Sequence, residues 1–132
     1  MLKKLLLLGA VSGLLAGIVS VVFQRVYSTS LGVDFSSVAK PVGIVISSTI
    51  GCLLAALGYA ALHRWLKGKT EIVFNFIFVI LSFATVLGAF AAKLPPEMSS
   101  PEVFPGLVIP MHFFPALAWL TLKPIFFRQP AA

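Results

Sequence analysis

Residues 5–23 have the sequence LLLLGAVSGLLAGIVSVVF, an apolar run without a charged side chain. An α-helix rises about 1.5 Å per residue, so about 20 apolar residues cross the hydrocarbon layer of a bilayer. Three further runs of this kind lie at about 42–62, 72–92 and 104–122. The sequence therefore predicts an all-α membrane protein, a bundle of four transmembrane helices that forms a single integral membrane domain over residues 1–132.

The composition agrees with this class. Of the 132 residues, 59% are apolar and 11% are charged, whereas soluble domains average about 45–50% apolar and about 25% charged residues. The 10 basic and 4 acidic residues give a net charge of +6, but the sequence has no hydrophilic basic face of the kind that nucleic-acid-binding proteins carry. These values exclude a soluble enzyme, a disordered tail and a nucleic-acid-binding module, and they leave the lipid bilayer as the first partner.

The segments between the apolar runs carry residues typical of helix ends. We expect a loop over 24–30, and Pro41 suits a first helical turn because its missing N–H has no partner there. Gly68 is placed to end the second helix, with Thr70 as the N-cap of the third. Pro124 is expected to close the fourth.

The first run also has features of a signal peptide, because Lys3 and Lys4 precede it. The run is long, however, and no convincing small-x-small cleavage site follows it, since the nearest candidate, Ala10-Val11-Ser12, comes too early. We therefore expect this segment to be kept as a membrane helix.

The charges predict the orientation. If the helices alternate in direction, one side carries seven basic residues and one acidic residue, a net charge of +6, and the other carries three of each, a net charge of 0. The seven are Lys3, Lys4, Arg64, Lys67, Lys69, Lys123 and Arg128. Under the positive-inside rule both termini are cytoplasmic, and the expected location is the inner cell membrane, with multiple passes.

Small residues at four-residue spacing predict the helix-packing faces, because lipid offers little hydrophobic drive for helix association and close approach needs small side chains. The predicted packing residues are Gly9, Gly13 and Gly17 in the first helix, and Gly43, Ser47 and Gly51 in the second. These stripes suit packing within one bundle and also dimerisation between bundles, and the sequence leaves both open.

Aligning the runs by depth predicts a polar site at the middle of the membrane, formed by His112, Ser12, Cys52 and Ser82. An ionisable group at this depth is a functional-site hypothesis by default, and His112 also lies between two helix-breaking prolines, at 110 and 115. Two interpretations stay open: His112 bonds a serine or a freed carbonyl as interhelical glue, or it handles a ligand or a proton.

Other chemical signals are absent from the sequence. No Cys/His cluster has metal-ligand spacing, and no nucleophile motif or pair of intramembrane carboxylates is present. We therefore expect no catalytic residue, no metal and no cofactor, and an enzymatic, quinone-binding or haem-binding role lacks the ligands it needs.

Several short motifs occur in a characteristic order: Gly-Val-Asp-Phe at 32–35, Leu-His-Arg-Trp at 62–65, Leu81-Ser82, Lys-Leu-Pro-Pro at 93–96 and Met111-His112. This order resembles a small bacterial family of four-helix membrane proteins catalogued only as a domain of unknown function. The resemblance covers nearly the whole chain and implies the four-helix architecture, with Met111-His112 as the family-like feature of the last helix. It implies no activity, substrate or cofactor.

The predicted function is that of a non-enzymatic small membrane protein that acts as a homo-oligomer or as an accessory subunit of a larger membrane complex. The alternative is a small transporter or channel with a midplane polar site around His112.

Overall fold

A computed structural model describes residues 1–128, and these residues form helices and connecting loops without a β-strand. The α-helices are α1 (Leu2–Leu31), α2 (Pro41–Leu66), α3 (Thr70–Ala91) and α4 (Phe104–Phe126). Short 3-10 turns at Lys67–Lys69 and Pro101–Val103 precede α3 and α4. The all-α class predicted from the sequence is confirmed.

The number of membrane-spanning segments differs from the prediction. In the described chain, three uninterrupted helical segments are long and apolar enough to cross a membrane, not four: Leu2–Leu31, Pro41–Ala91 and Pro101–Phe126. The middle segment contains both α2 and α3, because only the 3-10 turn at Lys67–Lys69 separates the two helices. The chain nevertheless reverses direction within this segment, since the ring of Tyr59 in α2 lies 5.1 Å from that of Phe74 in α3.

The first helix is longer than predicted. The expected loop over 24–30 is helical and holds neither glycine nor proline, and α1 ends only at Gly32, where φ is +66° and the N–H donates to the carbonyl of Ser28. In the loop that follows, the Ser36 N–H donates to the Asp34 carboxylate at 2.8 Å, which lowers the pKa of this exposed carboxyl. Pro41 lies in the first turn of α2, as predicted.

Three other predicted helix ends are wrong. The backbone leaves the helical region at Lys67, with φ of +44°, and not at Gly68. Thr70 is the first residue of α3, and its hydroxyl donates backwards to the Lys67 carbonyl at 2.6 Å instead of capping the helix. The fourth helix continues past Pro124 to Phe126, since each proline removes one backbone donor and the remaining bonds of the turn persist.

Two apolar clusters hold the bundle together at opposite ends. The first combines residues of all four helices, namely Leu5, Leu8, Ala56, Phe74 and Trp119. The second joins the α1–α2 loop to the start of α4 through Val33, Phe35, Phe104 and Leu107. The first cluster lies at the end of the bundle where α1 begins and α4 finishes, which we call the terminal end. The second lies at the opposite end, the loop end.

The glycine stripe of α1 packs directly on α2. A Cβ atom on Gly9 would lie 2.7 Å from the Cys52 carbonyl oxygen, and one on Gly17 would lie 2.7 Å from the Val45 Cα. A Cβ on Gly13 would overlap the α2 backbone. These contacts lie within one molecule, so the stripe joins α1 to α2 and is not a free surface for dimerisation.

Candidate functional site

A groove of about 980 Å³ runs between α2 and α3, with residues of α4 along its floor. It exists because the α2 residues that face it are small, among them Gly51, Ala55 and Gly58, so that α2 and α3 close on each other only near Tyr59 and Phe74. Exposed apolar side chains such as Leu54 border the groove. Its polar lining consists of Ser20, Ser47, Ser48, Ser82, Thr85 and His112.

The predicted packing stripe of α2 lies along this groove. Ser47 and Gly51 line it, and in the described part of the chain a Cβ added to Gly51 meets no atom within 4 Å. Gly43 is also exposed, with a Lys40 carbon at 4.0 Å as the nearest neighbour. The α1 helix packs on another face of α2, so these three small residues have no helix against them.

His112 lies on the floor of the groove. Its Nδ1 atom is 2.8 Å from the Val108 carbonyl oxygen of the same helix. Because a carbonyl only accepts, Nδ1 is the donor of this hydrogen bond. Among residues 1–128, the hydrogen bond of the His112 ring lies within its own helix and does not join two helices.

The four residues of the predicted midplane site are divided between two environments. Ser82 and His112 line the groove, and the Ser82 hydroxyl donates to the Phe78 carbonyl at 2.8 Å. Ser12 and Cys52 are fully buried, and the Cys52 thiol lies 3.9 Å from the Pro115 carbonyl oxygen. The structure therefore does not bring the four together as one site.

Ser20 is the polar residue of this site that the sequence did not identify. Its side chain is fully buried and lines the groove, and its hydroxyl has no hydrogen-bond partner among residues 1–128. An unsatisfied buried hydroxyl costs about 1–3 kcal/mol. The available signal was its position in the small-residue stripe of α1, four residues after Ala16.

The groove suits an apolar ligand with a few hydrogen-bonding groups. Its polar lining consists of serine and threonine hydroxyls and the His112 ring, and none of the residues 1–128 that line it is charged. Within residues 1–128, no group of three or more His, Cys, Asp or Glu residues could hold a metal ion. The chemistry of the groove is that of helix or lipid binding.

Comparison with known proteins adds no relative. No family model, no curated protein and no solved structure matches the chain. Membership of the bacterial four-helix family remains a prediction, and the groove is the basis for a functional proposal.

Proposed function

We propose that the protein is a non-enzymatic homo-oligomer of the bacterial inner membrane, in which the groove between α2 and α3 binds a transmembrane helix of a second copy. The observation that supports this proposal is the open stripe of Gly43, Ser47 and Gly51 on α2. In lipid, helices associate through close packing of small residues, and this four-residue spacing is typical of such contacts.

A second copy is favoured as the occupant because it carries the same stripe. Two α2 helices related by a two-fold axis place identical small residues against each other, which is the usual form of a homodimer contact. A helix is about 10 Å across, so 980 Å³ holds roughly two of its turns. The His112 ring and the serine hydroxyls of α2 line the groove, where they can meet polar atoms of the incoming helix.

The proposed topology has four crossings with both termini cytoplasmic. It is supported by the reversal of the chain between α2 and α3 and by the net charge of +6 on residues of the terminal end. A tag inserted after Gly68 should be reached by a membrane-impermeant reagent only when the cytoplasmic side is opened. Labelling of that tag from outside intact cells would contradict this orientation.

Crosslinking in membranes tests the dimer contact. In a Cys52→Ala background, the substitution Gly51→Cys should give a disulfide-linked dimer on mild oxidation. The matched control is Gly88→Cys on α3, which has open space beside it and does not line the groove. Equal crosslinking of the two variants would contradict the assignment of the contact to α2.

Native mass spectrometry in mild detergent tests the stoichiometry. The unmodified chain should appear as a dimer or higher oligomer, and Gly51→Leu, which fills the groove, should shift it to monomer while Gly88→Leu does not. A monomer for the unmodified chain would refute the proposal. A complex with a different protein would refute the homo-oligomer and support an accessory-subunit role.

The transporter or channel alternative has one supporting observation, the position of His112 in the lining of the groove. It predicts proton or solute flux in liposomes that is lost in His112→Phe. Unchanged flux in that variant would exclude His112 from the path.

A further inference from the structure

A second pocket, of about 920 Å³, lies at the terminal end of the bundle. The start of α1, the facing ends of α2 and α3, and the last turns of α4 form it. Its polar side chains are Lys4, Tyr59, Glu71, Lys123 and Arg128, and its apolar wall includes Leu120, Ile125 and Phe126. It is separate from the groove and has the opposite character, because cations dominate its polar lining.

The carboxylate in this pocket is already engaged. Glu71 forms an ion pair with Lys123, whose side chain is almost fully buried. The same carboxylate oxygen accepts a hydrogen bond from the Tyr59 hydroxyl at 3.0 Å, and the Lys123 ammonium lies 4.1 Å from the centre of the Tyr59 ring. These contacts hold the three side chains in place and neutralise both charges of the pair.

The other two cations of the pocket have no such partner. Between residues 1 and 128, no carboxylate oxygen lies within 4.0 Å of the Lys4 or Arg128 side-chain nitrogens. Three cations against one carboxylate leave the pocket with a net charge of about +2. An arginine guanidinium presents its N–H groups in a planar fork that matches phosphate oxygens, and a lysine adds a point charge. The pocket is therefore built to attract an anion with several oxygens.

We propose that this pocket binds the phosphate of an anionic phospholipid, with an acyl chain lying along Leu120, Ile125 and Phe126. A basic pocket between helices at the membrane surface is a recognised setting for such headgroups. The apolar wall distinguishes a lipid from a free anion, because inorganic phosphate gains nothing from it.

Native mass spectrometry of the full-length chain in mild detergent, titrated with phosphatidylglycerol or phosphatidylcholine, tests this site. We expect one phosphatidylglycerol per chain, bound more tightly than phosphatidylcholine. A basic residue near an anionic lipid surface contributes about fivefold to binding. The double variant Lys4→Gln/Arg128→Gln should therefore weaken phosphatidylglycerol binding about 25-fold.

The matched control is Arg64→Gln/Lys69→Gln, which removes the same charges from exposed positions outside the pocket. It should leave binding within about twofold of the unmodified chain. Both double variants should keep the same tryptophan-fluorescence unfolding midpoint, which shows that they fold.

Three results would overturn the proposal: equal weakening by the two double variants, equal binding of the two lipids, and displacement of phosphatidylglycerol by inorganic phosphate at equal concentration. The Gly51→Leu variant, which we expect to be monomeric, should bind phosphatidylglycerol like the unmodified chain. The lipid proposal can therefore be tested even if the dimer proposal is wrong.

Discussion

Replacing Gly17 with alanine tests the close packing of α1 on α2, where the Gly17 backbone lies against Val45. The added Cβ would lie 2.7 Å from the Val45 Cα, whereas ordinary contact begins at 3.4 Å, so α1 and α2 must separate by about 0.7 Å there. A gap of that size forfeits about a quarter to a half of the dispersion energy of neighbouring contacts. The obstacle is backbone, which cannot rotate away as a side chain does.

The expected change in the free energy of unfolding follows from two opposing effects. Overpacking of this kind costs about 1–3 kcal/mol, and alanine regains about 0.5–1 kcal/mol over glycine within a helix. The difference is a destabilisation of about 0–2.5 kcal/mol, with a central value of about 1 kcal/mol, for Gly17→Ala. The control Gly88→Ala has no atom within 4 Å, so it should stabilise the fold by up to about 1 kcal/mol.

The assay is unfolding in mixed micelles with increasing SDS, followed by the fluorescence of Trp119. A Trp65→Phe background removes the other tryptophan, which is 84% exposed, and leaves the fully buried Trp119 as the reporter. Opposite signs for Gly17→Ala and Gly88→Ala support the close approach of α1 and α2. Equal effects of the two substitutions would refute it.

Three further variants can be measured in the same assay. Glu71→Gln leaves the buried Lys123 without its carboxylate and should lower the free energy of unfolding by about 1–3 kcal/mol. Adding Lys123→Met should recover most of this loss, and no recovery would mean that the two residues are not coupled. Tyr27→Phe removes the 2.7 Å hydrogen bond from the hydroxyl to the Val103 carbonyl and should lower the free energy of unfolding by about 1 kcal/mol. An unchanged value would show that this bond does not hold α1 to the start of α4. His112→Phe loses only a bond within its own helix and should change stability by less than about 1 kcal/mol; unfolding of this variant would support a structural role for the ring.

The packing face of α1 could be predicted from its glycine spacing, because two helix backbones that approach this closely leave no room for a side chain. The face of α2 that receives α1 was not readable. That helix has small residues on two faces, one with Gly43, Ser47 and Gly51 and another with Cys52 and Ala56. The spacing of small residues does not tell which of the two faces contacts α1.

The sequence places Ser12 at the level of His112, whereas the groove of the structure is lined by Ser20 together with His112. The predicted run 5–23 is centred on residue 14, whereas Leu2–Leu31 is centred between residues 16 and 17. A shift of this size moves the level of His112 toward Ser20 and away from Ser12. The end of α2 was missed for a local reason, since Lys67 adopts a positive φ although Gly68 follows it.

The length of α1 has a consequence for the surface of the membrane. Its 30 residues extend about 45 Å, and the hydrocarbon core of a bilayer is about 30 Å thick. The part of α1 near the loop end is held by the hydrogen bond from the Gln24 amide to the Ala39 carbonyl and by the hydrogen bond from the Tyr27 hydroxyl to the Val103 carbonyl. These two hydrogen bonds tie the last two turns of α1 to the α1–α2 loop and to the start of α4, so the part of α1 that exceeds the thickness of a bilayer core is packed against its own chain.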